Sequence, residues 1–442
     1  MTLAIVACRN QEPDRPKAQR RPNVLLVVID AMRGDRLGVN GYRRPTTPAL
    51  DRLAREGISF PHAFSNASWT KPAMATLFTS LYPSSHFALR AANEPLAGDR
   101  GIALGEDLRT MAEIYSTEGY RTGAFLVQPH LTSQLGFAQG FETFQRLRGK
   151  SAARQNELLR KWIAQPDPRP FFAWLHYLDV HWPYDRRPAH DLAAFGSTSV
   201  DPEPPKSQLE KLEQWRDRFL SPVNLAGLIS RYDLGVAFVD DQLGALVSGL
   251  ESQGLLADTV VVVTADHGEG FLEHGELGHG FTPYDEQIRI PLIFRLPERL
   301  GGMTGSRETV VSLVDLLPTL LDLSGISLPE DSEGTSLRGI LSGREEPDRL
   351  AFTQTEFGRS VRSISHKLIA LDSSHLELYD LRTDPEERQD LVAGGPCAGL
   401  CRSLFARLRA FQAKAVRRSG TGHGDAHLSQ EDLEELRSLG YL

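Results

Sequence analysis

Two acidic side chains stand at the carboxyl ends of two apolar segments of this 442-residue chain. Asp266, followed at once by His267, comes after the β-branched run Val260–Val263, and Asp30 comes after Val24–Ile29. Each run reads as a buried strand of a parallel sheet. Ligands of an open α/β sheet bind beyond the carboxyl ends of its strands. If the two strands are neighbours, we predict that Asp30, Asp266 and His267 bind one divalent metal ion.

Each of these residues also has a simpler interpretation. Asp266 would cap a following helix while His267 lies in solvent, and Asp30 would cap the turn at Ala31–Arg33. The presence of both strand-end acids in one chain favours the metal site. Carboxylate oxygens with one imidazole suit Ca, Mn, Mg or Zn, and the ligand types do not choose among these ions.

A hydroxyl group forms the third element of the predicted site. Thr70 stands at a predicted loop-to-helix junction, two residues before Pro72. Free N–H groups at a helix N-terminus favour an anion, and a nearby metal ion lowers the pKa of a hydroxyl and makes it a nucleophile. The alternative is an N-cap threonine with Pro72 in the first turn of the helix.

The elements that would position these residues alternate between strand and helix, which predicts an α/β fold with a doubly wound, mostly parallel sheet flanked by helices. In chain order we predict strand 24–29, helix 47–57, strand 58–64, a helix opening near Thr70, helix 108–118, strand 122–127, strand 171–177, helix 225–251 and strand 259–264. Residues 186–222, rich in Pro, Asp and Ser, indicate a surface insertion.

Beyond about residue 345 the pattern changes to strand-like segments, 360–371 and 375–381, followed by a helix. We therefore predict three parts: a possible lipoprotein signal remnant and tether over 1–21, a catalytic domain over 22–345, and a smaller C-terminal α+β subdomain over 346–442. Hydrophobic residues make up 40% of the chain and charged residues 24%, as in ordinary globular enzymes. The net charge of −8 argues against a nucleic-acid partner.

The amino terminus predicts a lipid anchor. Ile5–Cys8 matches the bacterial lipoprotein cleavage box, and the polar stretch after Cys8 reads as a tether. Met1–Leu3 is too short for the charged and apolar regions of a secretory signal, so we expect the true start to lie upstream. A chance match is the alternative. The expected location is the periplasm or, through Cys8, a membrane surface.

The other two cysteines, Cys397 and Cys401, are spaced for a local disulfide across one helical turn. Such a bond would suit an oxidising periplasm. A metal knuckle is less favoured, because no second cysteine or histidine pair accompanies them. No apolar run approaches the roughly 20 residues that span a membrane.

With Asp30, the Thr70-x-Pro72 turn and Asp266–Gly268 in this order, the chain resembles the sulfatase family of the alkaline phosphatase superfamily. The resemblance runs from about residue 22 to the carboxyl terminus, and its further motifs are Phe171–Tyr184, Ile288–Ile293, Val314–Leu320 and Glu377–Leu381. It implies a single metal site, with the ligands Asp30, Thr70, Asp266 and His267.

The resemblance also implies roles for two histidines. Thr70 would be the nucleophile, His181 would contact the substrate oxyanion or the leaving group, and His279 would lie on the ester oxygens. Alternatively, His181 packs against Trp182, and His279 is a loop residue in a glycine-rich turn. We predict a structural role for His176, which lies within a buried strand. Other possible site groups are His130, Glu269 and His274.

The chain departs from the classical sulfatases at the nucleophile. Their formylglycine arises from a cysteine or serine in a Cys/Ser-x-Pro-x-Arg pattern. Thr70 cannot give that aldehyde because its β-carbon carries a methyl group, and Met74 replaces the arginine. In addition, Asp30 stands alone where the classical family has two adjacent aspartates. A threonine nucleophile resembles the phosphotransferase and phosphodiesterase branches of the superfamily.

The predicted function is a metal-dependent hydrolase of sulfate or phosphate esters, with a small-molecule, glycan or lipid ester as substrate. Two alternatives stay open. One is a phosphotransferase that acts on a lipid or glycan phosphodiester. The other is a catalytically inactive, tethered binding protein.

Overall fold

The computed structural model describes residues 21–86, 100–149, 151–184, 222–372, 374–393, 395–415, 425–427 and 429–438. Cys8 with its predicted tether, and nearly all of the predicted insertion at 186–222, lie outside these ranges. None of the described helices has both the length and the apolar character needed to cross a bilayer.

The strands, in chain order, are β1 Asn23–Ile29, β2 Ile58–Ser59, β3 Ala63–Phe64, β4 Arg100–Ile102, β5 Arg121–Leu126, β6 Thr143–Arg146, β7 Phe171–Tyr177, β8 Thr259–Thr264, β9 Gly270–Phe271, β10 Leu277–Gly278, β11 Arg289–Ile290, β12 Leu292–Arg295, β13 Gly305–Ser306, β14 Val311–Ser312, β15 Ala351–Thr355, β16 Gly358–Arg362, β17 His366–Ala370, β18 Leu376–Asp380 and β19 Asp425–His427. The α-helices are α1 Pro48–Glu56, α2 Thr70–Thr79, α3 Pro83–His86, α4 Met111–Thr117, α5 Ala152–Ile163, α6 Pro222–Ser252, α7 Asp285–Ile288, α8 Leu316–Leu323, α9 Arg338–Leu341, α10 Leu400–Ala415 and α11 Gln430–Ser438.

Eight strands form the central sheet in the order β13-β2-β12-β8-β1-β7-β5-β6. From β8 to β6 all neighbours are parallel, whereas β12 is antiparallel to β8 and to β2. Helices flank the sheet: α1 and α5 pack against α6, and α2 packs against α4 and α8. This arrangement confirms the predicted fold class.

The two acid-bearing strands are direct neighbours at the centre of the sheet. Val28 of β1 pairs with Thr264 of β8 on one side and with His176 of β7 on the other. All three strands run in the same direction, and their apolar side chains are almost completely buried. Their carboxyl ends therefore open at one edge of the sheet.

The predicted strand 58–64 is instead two short strands that belong to different sheets. β2 extends the central sheet, while β3 pairs with β11 and β14. Pro61 lies between them and has no N–H to donate to a strand ladder, which explains the interruption. Likewise, the predicted segment 360–371 contains two strands, β16 and β17, which pair as an antiparallel hairpin.

Beyond residue 350, β15 to β18 form a small antiparallel sheet. Helix α10 packs on it through Leu404 and Leu408. Cys397, ahead of that helix, forms a disulfide with Cys401 in its first turn. Leu433 and Leu436 of α11 join the core of the large sheet. The end of the chain therefore packs with the part that carries the strand-end acids.

A buried ion-pair network joins the small sheet to the rest of the chain. Asp285 Oδ2 accepts a hydrogen bond from Arg362 Nη1 at 2.6 Å, and its Oδ1 accepts one from Lys367 Nζ at 2.7 Å. Lys367 also lies 2.6 Å from Glu387 Oε1. Burial opposes ionisation of Asp285, but attraction to Arg362 and Lys367 outweighs it and holds the pKa of this carboxyl well below its usual value.

We expect Asp285→Asn to lower the free energy of unfolding by about 3 kcal/mol, because it leaves two buried cations short of a partner. The low pKa of Asp285 stabilises the fold above the unfolded pKa of about 3.9, and this stabilisation is lost as the pH falls through the folded value. The difference in the free energy of unfolding between the parent and the variant should therefore be largest at pH 7 and should decrease below about pH 4. Urea unfolding followed by circular dichroism measures it.

The matched control is Glu157→Gln, which removes an exposed carboxylate from its helix pairs with Arg154 and Lys161. Its stability should stay close to that of the parent chain. Equal stability of Asp285→Asn and the parent at pH 7 would show that the network does not hold the two parts together.

Candidate metal centre and active site

The three predicted metal ligands converge. Asp30 directly follows β1, and Asp266 and His267 follow β8; all three are 0% exposed. One ligand atom from each lies within 4.8 Å of the others. His267 Nε2 is 3.4 Å from Asp30 Oδ1 and 3.6 Å from Asp266 Oδ2. Neighbouring parallel strands thus deliver the three side chains to one point.

Backbone hydrogen bonds fix how the two carboxylates face this point. Asp266 Oδ1 accepts from the N–H groups of Ala31 at 3.2 Å and of His267 at 2.9 Å. The N–H of Asp30 donates to the carbonyl of Tyr177 at 2.9 Å, which ties the end of β1 to the end of β7. The chain continues from Gly268 into β9 without a helix, so Asp266 does not cap one.

The free atoms of the cluster match a cation. Asp30 Oδ1 and Asp266 Oδ2 are buried, and neither accepts a hydrogen bond from any residue that the structure describes. Leaving such an acceptor unsatisfied costs roughly 1–3 kcal/mol, and more when it is charged. A divalent ion among these two oxygens and the His267 imidazole would satisfy all three groups, so the residues fit one metal ion.

The electrostatics of the cluster also favour a cation. Burial opposes the charge on Asp30, but attraction to the imidazoles of His181, His176 and His267 keeps the pKa of its carboxyl well below the usual value. Burial and the negative charge of Asp30 raise the pKa of Asp266. Burial would lower the pKa of His267, but attraction to the two carboxylates raises it to about 9. Two carboxylates held this close need positive charge between them.

The Thr70 hydroxyl lies at the edge of this cluster. Thr70 is the first residue of α2, and Trp69 occupies the N-cap position in an extended conformation. Thr70 is 0% exposed, and its Oγ1 is 3.3 Å from His267 Nε2. The structure therefore places the hydroxyl beside the predicted metal ligands, one residue inside the N-cap position.

A glutamine that sequence reasoning missed links the carboxylate to the hydroxyl. Gln128 Nε2 donates to Asp30 Oδ2 at 2.6 Å and to Thr70 Oγ1 at 3.3 Å. The N–H of His130 donates to Gln128 Oε1 at 3.2 Å, and this bond assigns the orientation of the amide. Gln128 lies two residues beyond the end of β5, a polar residue at the same sheet edge as the two acids. That position was the signal available in the sequence.

We expect Gln128→Met to lower kcat by about 100-fold, because it removes the only amide donor that aligns Thr70 in the described site. Metal content should be retained, since no metal-facing atom is removed. Steady-state kinetics with elemental analysis checks both. Gln354→Met is the control, a buried glutamine whose Oε1 accepts from the Ser84 N–H elsewhere in the fold. Equal kcat in the Gln128 variant and the parent would exclude this aligning role.

His176 lies beside two of the predicted metal ligands. We predicted it to be a structural residue of a buried strand, yet its Nε2 lies 3.3 Å from Asp30 Oδ2 and 3.8 Å from Asp266 Oδ2. The apolar run around it hid this position. Alternate side chains of a strand point to opposite faces, and a residue near the strand end can reach the site edge.

Two further predicted histidines lie on the other side of His267. The ring centroid of His279 is 4.2 Å from that of His267 and 4.9 Å from that of His181. His279 Nδ1 is 2.9 Å from Glu269 Oε1, and His181 Nδ1 is 2.6 Å from the carbonyl of Trp182. Burial works against the charge on Glu269, but His279 lowers the pKa of this carboxyl below its usual value. The imidazole and carboxylate thus form a buried pair.

Of the remaining candidate groups, His130 lies in the site and His274 lies outside it. His130 stacks edge-on to Trp69 at 5.6 Å, and burial together with the charge of Lys71 lowers its pKa to about 3. The charges of Asp30, His181 and His279 also influence the pKa of His130. His130 therefore belongs to the same site. His274 does not: its Nδ1 is 2.9 Å from Glu286 Oε1, and its Nε2 is 2.9 Å from the carbonyl of Glu387.

Comparison with known protein families gives two matches. The family model described as Sulfatase matches residues 22–326, more than half of the chain. A second model, described as N-sulphoglucosamine sulphohydrolase, C-terminal, matches residues 273–414. The two matches together span both the strand-end acids and the small antiparallel sheet.

Individual relatives agree with these matches. The uncharacterized sulfatase YidJ of Escherichia coli is 27% identical over 430 residues, which cover 84% of this chain and 83% of that protein. The delta 4,5-hexuronate-2-O-sulfatase of Bacteroides thetaiotaomicron is 23% identical over 85% of each. The crystal structure of the phosphonate monoester hydrolase of Agrobacterium radiobacter has the same fold, with a TM-score of 0.73 and 23% identity over 89% of this chain and 96% of that one.

Proposed function

The chain belongs to the sulfatase family and is a sulfatase-like ester hydrolase, and we propose that Thr70 is its nucleophile, acting beside one divalent metal ion. One observation carries the proposal. The buried Thr70 hydroxyl lies 3.3 Å from His267 Nε2 and 3.3 Å from Gln128 Nε2, next to two carboxylate oxygens that lack donors among the described residues. A hydroxyl there has a cation site on one side and a fixed amide donor on the other.

Asp30, Asp266 and His267 would hold the metal ion. When bound, the ion supplies positive charge that lowers the pKa of the Thr70 hydroxyl and stabilises charge on the ester oxygens. Thr70 Oγ1 passes its proton to a water molecule and bonds to the phosphorus or sulfur atom of the ester. The bond from that atom to the alcohol oxygen breaks, and the alcohol leaves with a proton from a neighbouring imidazole. Gln128 keeps the attacking oxygen aligned. Water then cleaves the ester formed on Thr70.

His279 is the better-supported proton donor to the leaving alcohol. The carboxylate of Glu269, 2.9 Å from His279 Nδ1, fixes the orientation of the imidazole, and a positioned imidazole is the usual proton donor in such a step. The Nδ1 of His181 lies 2.6 Å from the backbone carbonyl of Trp182 and not beside a carboxylate oxygen. We therefore propose that His279 protonates the leaving oxygen and that His181 contacts the ester oxygens.

We propose a phosphate or phosphonate ester as the preferred substrate, ahead of a sulfate ester. A formylglycine intermediate can expel its sulfate by returning to the aldehyde, but an ester on Thr70 has no such route and must be cleaved by attack at the central atom. A glycan or lipid alcohol is the proposed leaving group. The names of the relatives support a sugar, because one is a hexuronate sulfatase and a related solved structure holds D-glucosamine-2-N,6-O-disulfate.

The test is hydrolysis of nitrophenyl sulfate, nitrophenyl phosphate and bis(nitrophenyl) phosphate by purified, metal-loaded protein made without a formylglycine-generating enzyme. We expect turnover of a phosphate ester that exceeds turnover of the sulfate ester. Activity confined to the sulfate would contradict the substrate proposal. A protein that binds the metal and cleaves none of the three would instead support the inactive binding protein.

We also propose that the protein works in the periplasm or at a membrane surface. Support comes from the disulfide between Cys397 and Cys401, since disulfides persist mainly in oxidising compartments. The predicted lipid anchor at Cys8 lies outside the described residues. Globomycin sensitivity of the protein expressed from its native locus would test it.

A further inference from the structure

We propose that His176 is a fourth protein ligand of the metal ion, so that two carboxylates and two imidazoles select a first-row transition metal ion over calcium. The inference rests on the metal-dependent part of the proposed function. It concerns which ion the site takes and which residue decides that choice.

The geometry matches a shared ion. His176 Nε2 lies 3.3 Å from Asp30 Oδ2 and 3.8 Å from Asp266 Oδ2. On the other strand, His267 Nε2 lies 3.4 Å from Asp30 Oδ1 and 3.6 Å from Asp266 Oδ2. Ligand atoms at about 2.1 Å from a tetrahedral ion stand roughly 3.4 Å apart. Asp30 Oδ2 is the oxygen that accepts from Gln128, so the oxygen that both imidazoles approach is Asp266 Oδ2, at separations close to those of ligands on one ion.

Packing alone does not account for His176. It is 0% exposed, and neither ring nitrogen makes a hydrogen bond within the part of the chain that the structure describes. A histidine retained for packing alone would leave two polar atoms unsatisfied in the interior, which proteins avoid. A ligand role satisfies Nε2 beside Asp266 Oδ2, which also lacks a donor among the described residues.

The same residues disfavour calcium. Calcium takes six to eight oxygen ligands, whereas imidazole suits zinc and its neighbours. Gln128 turns its NH₂ group to Asp30 and its oxygen to the N–H of His130, so the amide oxygen is not offered to the ion. Ala31, directly after Asp30, has no side-chain oxygen to offer.

The first test uses the unaltered protein. After removal of metal with a chelator, zinc and calcium are each titrated by calorimetry, and the zinc-loaded protein is examined by X-ray absorption at the zinc edge. We expect one zinc ion per chain, bound at least about 10³-fold more tightly than calcium. The absorption spectrum should require two imidazole ligands. A single imidazole, or tighter binding of calcium, would overturn the proposal.

The second test compares His176→Gln with His86→Gln. His86 is also 0% exposed, but its Nε2 is 3.0 Å from Thr76 Oγ1, away from the cluster. We expect the His176 variant to bind zinc at least about 100-fold more weakly while its calcium affinity stays the same, and the His86 variant to keep the parent affinity. Unchanged zinc affinity in the His176 variant would refute the ligand role. If that variant does not fold, the absorption spectrum of the parent still shows whether one or two imidazoles bind the zinc ion.

These readouts do not depend on turnover. A protein with two imidazoles on its zinc but no ester hydrolysis would refute the proposed nucleophile and leave the ligand assignment intact. Conversely, an active protein with one imidazole on its metal ion would refute the ligand role of His176 and leave the proposed nucleophile intact.

Discussion

Thr70→Ala should lower kcat by at least about 10³-fold while leaving the fold and most of the metal affinity intact. The substitution removes the only hydroxyl that lies beside both His267 and the Gln128 amide in the described site. Thr70→Ser should keep part of the activity, because it retains the hydroxyl and loses only the methyl group that restricts the side chain. Steady-state kinetics on metal-loaded proteins of equal metal content measures both effects.

Thr79→Ala is the control for this experiment. Thr79 is the last residue of the same helix, and its hydroxyl bonds the carbonyl of Ala75 at 2.7 Å, so the variant should keep the parent kcat. If Thr70→Ala remains active, Thr70 is not the nucleophile and water attacks the ester directly.

Asp266→Ala should lose the metal ion and, with it, hydrolysis. The metal content of the parent should be about one divalent ion per chain, since Asp30, Asp266 and His267 form a single group that could hold a metal ion among the described residues. The variant loses a metal-facing oxygen and also the acceptor for the N–H groups of Ala31 and His267, which position the remaining ligands. Elemental analysis after dialysis against a metal buffer gives the content directly.

Asp240→Ala separates metal loss from general damage. Asp240 is 1% exposed and likewise accepts hydrogen bonds from two backbone N–H groups, those of Ala49 and Leu50, but lies away from the cluster. The Asp240→Ala protein should be less stable than the parent and should still bind one metal ion. Full metal content in the Asp266 variant would contradict the assigned site, and failure of the parent to bind any metal would end the hydrolase proposal.

Sequence patterns were sufficient to predict the centre of this fold. The apolar runs that became β1 and β8 are continuous because both faces of the sheet are covered, and parallel strands bring their carboxyl ends to one edge. Asp30, Asp266 and His267 could therefore be placed together before their distances were known. Thr70 followed from the helix start that Pro72 marks.

Two neighbours of these residues could not be predicted in the same way. Gln128 carries no signature of its own, and its importance depends on β5 lying next to β7 in the sheet. His176 sits in a run of large apolar and aromatic residues, so its type suggested packing. Its contact with Asp30 arises from the register between β7 and β1, which is a long-range property of the sheet.

The division of the predicted strand 58–64 has a local cause that the sequence did contain. Pro61 interrupts the ladder, and the two halves then find different partners. By contrast, the return of α11 to the main core depends on contacts such as those of Arg146 with Asp432 and Glu435, far apart in the chain. Composition near the carboxyl terminus gives no indication of that contact.

The most direct test of Thr70 as nucleophile is to trap the covalent intermediate. Metal-loaded protein would be mixed with a phosphate ester that it cleaves, quenched in acid within the first turnover, digested and analysed by mass spectrometry. We expect one phosphoryl group on the peptide that contains Thr70, absent from the Thr70→Ala protein and from unmixed enzyme. Turnover without any adduct on Thr70, or an adduct on another residue, would contradict the mechanism.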